Sequence, residues 1–214
     1  MRIGILGTGP MGRLLGAHWA ANRRDVVFGS SDEKAGRAVE LARKVGRRTR
    51  AAGYAEAAAF GEVVLLAVAW ERAAIVAAEL APALAGKVVL DCTNPPTIDD
   101  LAVFAPHPSA AEAVAAAAPG AHVVKAFNAT AAEAIRLSKG DSFTILDRPP
   151  VFYCGDDRSA NQVAHGLADE IGFQPIDAGP LHNARYLEVM ASFEIYLKES
   201  GSKFQLSAKN VKGW

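Results

Sequence analysis

Six residues near the start of the chain constrain its fold more than any other feature. An apolar run, Ile3 to Leu6, passes directly into Gly7-Thr8-Gly9-Pro10-Met11-Gly12, and a helix-like stretch follows. This is the GxGxxG pattern of dinucleotide-binding turns, in the strand, turn and helix context that its mechanism needs. The first glycine permits the tight turn, the second lets the backbone approach a pyrophosphate, and the third allows close packing of helix on strand. We therefore expect a dinucleotide site here rather than a glycine-rich turn without a ligand.

Strand-like and helix-like segments alternate through the first 140 residues. Brief runs rich in Val, Ile and Leu predict strands at residues 2–6, 26–28, 63–68, 87–91 and 122–126. Helices are predicted between and after them, at residues 11–21, 33–45, 71–80, 110–117 and 129–136. Such alternation is typical of right-handed βαβ crossovers. The chain is therefore predicted to be an α/β protein with a Rossmann-like, doubly wound parallel sheet and a small C-terminal α/β extension.

A change in composition near residue 140 divides the chain. Of its 43 alanines, 36 lie in residues 1–140, and turn residues follow. We expect a dinucleotide-binding domain over residues 1–145 and a smaller domain over 146–214 that forms the second wall of a cleft. The smaller domain is predicted to contain strands at 151–154 and 174–177, a helix at 158–171 and a terminal helix at 181–198. Leu187, Met190, Phe193 and Leu197 share one face of that helix, packed on the body, on a partner subunit or over a ligand.

The residues after the second predicted strand indicate which dinucleotide is bound. Domains that prefer NAD place an acidic side chain there, which binds the ribose hydroxyls and would repel a 2′-phosphate. In this chain the strand ends in Gly29-Ser30-Ser31, and Lys34 and Arg37 follow. Serine hydroxyls donate to phosphate oxygens and the basic side chains supply charge, so we expect NADP. Asp32 is the contrary observation, which we interpret as a cap of the next helix.

Charge is unevenly distributed along the chain. The totals balance at 23 basic and 23 acidic residues, which argues against a nucleic-acid-binding protein. Residues 22–50, however, hold nine Lys or Arg and four Asp or Glu, a local excess of five positive charges. We expect this excess to mark the phosphate site, with Arg47, Arg48 and Arg50 on a solvated helix face.

Other features narrow the class further. The cysteines, Cys92 and Cys154, lie far apart, so we expect no disulfide framework and a reducing, cytoplasmic location. No apolar run is long enough for a membrane span. His107, His122 and His165 show no metal-ligand spacing, and no metal site is predicted. Gly155-Asp156-Asp157 is interpreted as a turn leading into a helix, with a cation site as the less simple alternative.

Several segments in order resemble the NADP-dependent F420 oxidoreductase family. Beyond the glycine turn and Gly29-Ser30-Ser31, the similar segments are Ala67-Val68-Ala69-Trp70-Glu71, Asp91-Cys92-Thr93-Asn94-Pro95, Val123-Val124-Lys125-Ala126-Phe127-Asn128, Cys154-Gly155-Asp156-Asp157 and Asp177-Ala178-Gly179-Pro180-Leu181-His182-Asn183-Ala184-Arg185. The resemblance runs from the start of the chain to about residue 198. It implies a two-domain enzyme that moves hydride between NADP(H) and the deazaflavin F420, and a homodimer that uses the terminal helix.

The resemblance also implies roles for particular residues. Thr8, Ser30, Ser31 and Lys34 would surround the 2′-phosphate; Gly9, Pro10 and Met11 would hold the pyrophosphate; Val68, Ala69 and Trp70 would line the nicotinamide side. Asn94 is assigned to the cofactor site with them. Two positions depart from the family pattern, because Ser31 replaces an arginine of some members and Ala69 replaces the usual proline. Lys34 is expected to compensate for the first change.

The chemistry needs alignment of two rings and exclusion of water, so no general acid or base is assigned. Asn128 is expected either to hydrogen-bond a carboxamide or flavin edge, or to cap the helix at 129–136. Lys125 either steers an anionic F420 tail or is a surface lysine, and His182 either faces the cleft or starts a helix. Two other functions stay open: an NADPH-dependent reductase of FMN, FAD or another acceptor, and a non-catalytic NADP-binding sensor or subunit.

Overall fold

The computed structural model describes residues 1–31, 34–95, 108–137 and 148–201. In this part of the chain the strands are β1 (Arg2–Leu6), β2 (Asp25–Ser30), β3 (Thr49–Gly53), β4 (Val63–Leu66), β5 (Val88–Asp91), β6 (His122–Ala126), β7 (Pro150–Gly155) and β8 (Gln174–Asp177). The helices are α1 (Pro10–Ala21), α2 (Ala35–Val45), α3 (Tyr54–Phe60), α4 (Trp70–Glu79), α5 (Ala81–Leu84), α6 (Ala110–Ala117), α7 (Ala132–Leu137), α8 (Arg158–Asp169) and α9 (Ala184–Glu199). A 3-10 turn, Leu181–Asn183, precedes α9.

All eight strands form one sheet in the order β3-β2-β1-β4-β5-β6-β7-β8. Strands β1 to β6 pair in parallel, whereas β7 is antiparallel to β6 and β8 is parallel to β7. The predicted Rossmann-like parallel sheet with a small C-terminal α/β extension is therefore confirmed. The extension consists of β7, α8 and β8, and its two strands run opposite to the six parallel strands. Division of the chain into two domains at residue 145 stays a prediction, with β6 and β7 paired across that point.

Helices cover both faces of the sheet, which explains why the central strands are apolar without alternation. One buried cluster joins α1, α2 and α8 to the sheet, and a second joins α3, α4, α6 and α9 to its other face. Polar contacts tie the extension to the first helix and to the segment that follows that helix. Trp19 Nε1 donates to Leu167 O at 3.1 Å, and Arg24 Nη2 lies 2.5 Å from Glu170 Oε2. No helix among the described residues is long and apolar enough to cross a membrane.

Two parts of the sequence interpretation are wrong, and a third is confirmed only in part. Strand β3 and helix α3 were not expected, and Arg47, Arg48 and Arg50 lie in the turn before β3 and within it rather than on a helix. Because Val26 of β2 pairs with Thr49, these arginines stand at the amino-terminal edge of the sheet. On α9, Leu187 of the predicted apolar face is buried and Met190 packs on the body, whereas Phe193 is 46% exposed, so packing on the body is confirmed for only part of that face.

The buried face of α9 is mixed in polarity. Its members with little exposure are Ala184, Leu187, Glu188, Ala191, Ser192 and Glu194. The apolar members reach the second cluster on the sheet, and Met190 packs against it from a half-buried position. Burial of two carboxylates on one helix is unusual, because charged groups are rarely buried without a partner. The partners of Glu188 lie at the edge of the sheet described next.

Candidate functional site at the carboxyl edge of the sheet

The carboxyl ends of the parallel strands meet at one edge of the sheet. Across it, Leu6 pairs with Gly29 on one side and with Leu66 on the other, Leu66 pairs with Asp91, and Asp91 pairs with Lys125. The strand order reverses between β1 and β4, and open α/β sheets bind ligands at such a switch point. The predicted site residues all lie beyond these strands or at their last residue: Gly7, Thr8, Gly9, Pro10, Met11, Gly12, Ser30, Ser31, Lys34, Val68, Ala69, Trp70, Asn94 and Asn128.

At two of its three glycines the turn is packed so closely against backbone atoms that no side chain fits. Gly7 has φ +117° and donates its N–H to Gly29 O at 3.0 Å. A Cβ on Gly7 would lie 2.2 Å from Ala67 O, and one on Gly12 would lie 2.3 Å from Gly7 O. A Cβ on Gly9 would meet nothing described within 4 Å. Gly7 and Gly12 are thus needed by the fold itself, whereas the space beside Gly9 is open.

Helix α1 begins at this turn with free donors. Its first residue is Pro10, and Gly9 precedes it with an extended backbone and no side-chain cap. Pro10 has no N–H to satisfy, and the N–H groups of the first turn lack intrahelical acceptors. Gly9 and Pro10 are exposed and Met11 is half-buried. The arrangement offers backbone donors to an anion at the switch point.

The end of β2 carries serines, in agreement with the sequence. Ser30 is buried, Ser31 is half-buried, and the exposed Lys34 directly precedes α2 with its N–H donated to Ser31 O at 2.9 Å. Asp32, the acid that would favour NAD, lies outside the described residues. Within the described ranges no ion pair involves Lys34 or Arg37.

Three buried polar atoms have no hydrogen-bond partner in the described part of the chain, and each lies just after one of three neighbouring strands. They are Trp70 Nε1 after β4, Thr93 Oγ1 after β5 and Asn128 Oδ1 after β6. Native proteins rarely leave such atoms unpaired, and an exception points to a ligand, an ion or ordered water. Half of the six unpaired atoms found in the described residues lie at this one edge.

Asn128 and Asn94 form a bonded pair. Asn128 Nδ2 donates to Asn94 Oδ1 and to Leu187 O of α9, both at 3.0 Å, and Asn94 Nδ2 donates to Asn128 O at 2.5 Å. Helix α7 begins only at Ala132. The interpretation of Asn128 as a cap of a helix at 129–136 is therefore wrong. The side-chain nitrogen of Asn128, Nδ2, is bonded within the protein, whereas its side-chain oxygen, Oδ1, has no partner among the described residues.

Lys125 is buried completely, so neither expectation for it is correct. Its Nζ lies 2.9 Å from Asp91 Oδ2, 2.8 Å from Glu188 Oε1 and 2.6 Å from Thr93 O. Burial alone lowers the pKa of Lys125, but the charges of Asp91 and Glu188 outweigh it and the pKa is raised. We call Asp91, Lys125 and Glu188 the charge cluster. Sequence reasoning missed it because a lysine in a strand gives no signal of its partners.

Phe127 directly follows β6 in an unusual backbone conformation. Its φ is +63°, a region that bulky side chains seldom adopt. The side chain is fully buried and packs edge-on against Trp19, with ring centroids 5.9 Å apart. Such conformations persist where the surroundings impose them, and they are frequent at functional sites. At this position the turn redirects the chain from β6 toward Asn128.

His182 is exposed in the 3-10 turn that precedes α9, where Leu181 N donates to Asp156 Oδ1 at 2.9 Å. It therefore lies at a helix start, and its exposure to the cleft stays a prediction. At the start of α8, Asp157 Oδ1 accepts from Ala160 N at 2.8 Å and caps the helix, as the turn interpretation predicted. His107 lies outside the described residues.

Known proteins match the chain along most of its length. A family model described as NADP oxidoreductase, coenzyme F420-dependent, matches residues 2–95. The F420-dependent NADP reductase of Methanocaldococcus jannaschii is 30% identical over 213 residues, which cover 92% of each protein. The chain belongs to the F420-dependent NADP reductase family. The glycine turn, the serines at the end of β2 and the charge cluster therefore belong to a member of this family.

Two further relatives extend the family assignment. A crystal structure from Arthrobacter sp. FB24, provisionally named an F420-dependent NADP reductase, superposes with a TM-score of 0.76 at 26% identity, covering 94% of this chain and 95% of that one. Metalloreductase STEAP3 of Rattus norvegicus is 32% identical over 191 residues. That match covers 88% of this family member but 36% of STEAP3, so the chain spans about a third of the length of that relative.

Proposed function

We propose that the chain is an oxidoreductase that transfers hydride between NADP(H) and the deazaflavin F420. The observation that carries the proposal is the glycine turn at the switch point of the sheet, in which Gly7 has φ +117°. It occurs in a chain that aligns with an F420-dependent NADP reductase over 92% of that protein's length. The residues at the carboxyl edge fit a dinucleotide. The open space beside Gly9 and the free donors of α1 suit a pyrophosphate.

The adenosine half is assigned to the end of β2. Thr8, Ser30, Ser31 and Lys34 would surround the 2′-phosphate, while Gly9, Pro10 and Met11 hold the pyrophosphate and Gly7 and Gly12 shape the turn. The hydroxyls donate to phosphate oxygens and Lys34 supplies a positive charge that no described carboxylate neutralises. These properties favour NADP over NAD.

The nicotinamide half is assigned to the ends of β4, β5 and β6. Val68, Ala69 and Trp70 would line the ring, and Asn94 and Asn128 would lie beside its carboxamide. Asn128 Oδ1 is an acceptor and Trp70 Nε1 a donor, which matches the two polar functions of an amide. F420 supplies the hydride-accepting ring. The chain's residues bind the two rings, bring the reacting carbons to about 3–3.5 Å and exclude water, and no side chain is assigned to proton transfer.

Another acceptor is the second candidate. The match to a protein named a metalloreductase, at 32% identity, favours an acceptor other than F420. The alternative is an NADPH-dependent reductase of FMN, FAD or a further acceptor. The glycine turn and the serines would serve either reaction equally. A non-catalytic NADP-binding subunit is the third alternative.

Mixing the purified protein with NADPH and oxidised F420 tests the proposal. Loss of the deazaflavin absorbance, with one NADPH consumed for each F420, is the expected result. Turnover with FMN or FAD but not with F420 would establish the second candidate instead. NADPH binding without turnover of any of these acceptors would establish the third. NADH in place of NADPH serves as the cofactor control.

We also propose a homodimer that uses α9. Tyr186, Phe193 and Tyr196 are 66%, 46% and 50% exposed on this helix, and clustered aromatic side chains are enriched at subunit contacts. Sedimentation should give about twice the 22.5 kDa of one chain. The variant with serine at Phe193 and Tyr196 should sediment as a monomer, and a monomeric unmodified protein would contradict the proposal.

Two further assignments complete the proposal. Residues 1–145 form the dinucleotide-binding domain and residues 146–214 the second wall of the cleft, supported by the bond of Asn128 to Leu187 O on α9. The protein acts in the cytoplasm, supported by Cys92 and Cys154, which are free and buried.

A further inference from the structure

The ammonium of Lys125 donates its three hydrogens to three different acceptors. Asp91 at the end of β5, the carbonyl of Thr93 just beyond that strand and Glu188 on α9 accept them, at 2.9, 2.6 and 2.8 Å. A lysine has three donors and no acceptor, so its hydrogen-bonding capacity is filled. Lys125 is thereby the point where β6, the segment after β5 and the terminal helix are joined.

Each carboxylate of the charge cluster has a second task. Asp91 Oδ1 accepts from Thr93 N at 2.9 Å, so Thr93 is held by both its N–H and its carbonyl. Glu188 accepts from Ala110 N and Ala111 N at 3.1 and 3.3 Å, at the start of α6. The cluster therefore fixes Thr93 between two charges and fixes α9 against α6. Nothing in it touches the glycine turn or the end of β2.

We propose that Lys125 is a positioning residue for the nicotinamide end of the site. Through Asp91 and Thr93 it sets the segment that carries Asn94, and through Glu188 it sets α9, whose Leu187 O holds Asn128. The inference rests on the proposed function for its ligand.

Stability alone does not account for such a cluster. Replacing buried ion pairs by well-packed apolar side chains is often neutral or stabilising, so burial of charge is poor evidence of a stabilising role. What the cluster achieves is the fixed orientation of the polar atoms around it. It leaves Thr93 Oγ1 and Asn128 Oδ1 unpartnered among the described residues, while the Lys125 ammonium and the carboxylates of Asp91 and Glu188 are all hydrogen-bonded. Fixed polar atoms of this kind orient a reacting ring, and a misplacement of about 1 Å can cost about 100-fold in rate.

The test compares Lys125→Met with the control Lys87→Met. Lys87 is half-buried and its Nζ donates to Ala58 O and Ala59 O before β5, at the other edge of the sheet, so its loss perturbs the fold without reaching the site. Two affinities are measured for each variant: NADPH, and adenosine 2′,5′-bisphosphate, which carries only the adenosine half. For Lys125→Met we expect NADPH to bind about tenfold more weakly, the bisphosphate to bind within about twofold of the unmodified protein, and kcat to fall about 10- to 100-fold.

Equal weakening of both ligands, or the same pattern in Lys87→Met, would overturn the proposal because the effect would then be a general loss of structure. Should Lys125→Met not fold, Glu188→Gln decides the question, since it keeps the shape and one of the two acceptor oxygens and removes one charge. It should weaken NADPH selectively as well, by a smaller factor; unchanged NADPH affinity would refute the role. The binding comparison needs no acceptor, so a failure of F420 turnover in the unmodified protein leaves it intact.

Discussion

The two ends of the carboxyl edge are built by opposite means. At the glycine turn the geometry exists because side chains are absent: a Cβ on Gly7 would lie only 2.2 Å from Ala67 O, and the space beside Gly9 is open. At the ends of β5 and β6 the geometry exists because side chains are present and buried, with Lys125 between Asp91 and Glu188. One end presents backbone donors, and the other presents buried polar side chains in fixed positions.

The difference teaches which perturbations each end tolerates. Added volume should damage the glycine turn, since close backbone contacts cannot move apart cheaply. Loss of charge should damage the other end, since an unpartnered buried carboxylate is costly. Substitutions that add volume at one end or alter polarity at the other separate the two mechanisms.

The largest effect is expected for Gly7→Ala. A Cβ would both clash with Ala67 O and occupy a positive φ, so the free energy of unfolding should fall by about 3 kcal/mol or more. Urea denaturation measures it. Gly9→Ala is the matched control, because its Cβ meets nothing within 4 Å among the described residues. It should keep the stability of the unmodified protein within about 0.5 kcal/mol and weaken NADPH. Equal stability losses in both would mean that the turn is not packed as described.

A second effect concerns the thiols beside the charge cluster. Burial raises the pKa of Cys92 and of Cys154 to about 12, whereas an unfolded thiol ionises near pH 8.5. The folded state therefore binds more protons between these values, and stability falls as pH rises. From pH 9 to pH 10 the two thiols should remove about 2 kcal/mol. Denaturation of the reduced protein is compared with that of the variant with alanine at both positions, which should lose correspondingly less; parallel pH profiles would contradict the assignment.

Ser31→Asp tests the adenosine half by adding charge without much volume. The carboxylate would repel a 2′-phosphate and accept from a free ribose hydroxyl, so NADPH affinity should fall about tenfold more than NADH affinity. Fluorescence titration measures both. Ser159→Asp, at an exposed serine of α8 on the opposite edge, is the control and should change neither affinity. An equal loss for both cofactors in Ser31→Asp would place the phosphate elsewhere.

The smallest effect is expected for Thr93→Val. Thr93 Oγ1 has no partner in the described residues, so the apolar replacement should not lower the free energy of unfolding. NADPH affinity should fall severalfold if the hydroxyl meets the cofactor. Thr49→Val provides the contrast, because the single hydrogen of Thr49 Oγ1 is shared between Ala42 O at the end of α2 and Gly46 O, both at 2.7 Å. That variant should lose about 1 kcal/mol and bind NADPH normally. Calorimetry and titration on both proteins distinguish the cases.

Local sequence patterns predicted one end of the edge and not the other. The glycine turn, the serines at the end of β2 and the bounds of β1, β6, β8 and α6 all follow from residues close together in the chain. Strand β3 escaped prediction because Thr49–Gly53 holds two alanines and a glycine, and tertiary pairing with β2 decides its state.

The charge cluster escaped prediction for a different reason. Asp91, Lys125 and Glu188 are brought together only by the sheet order and by the docking of α9, neither of which a local pattern encodes. Lysine in a strand is normally read as exposed. One hint was available in the sequence of α9: Glu188 lies on the face that also carries Leu187 and Ala191, where an apolar residue would be expected.

The reversal of the chain between β6 and β7 also decides where helix dipoles act. Helices α1, α2, α4 and α6 follow parallel strands, so their positive ends lie at the carboxyl edge of the sheet. Helix α8 follows the reversed strand β7 and starts at the opposite edge. The positive end of α6 meets a carboxylate of the protein itself, because Ala110 N and Ala111 N donate to Glu188. The positive end of α1 has no side-chain cap, so it is left for the phosphates of the proposed cofactor.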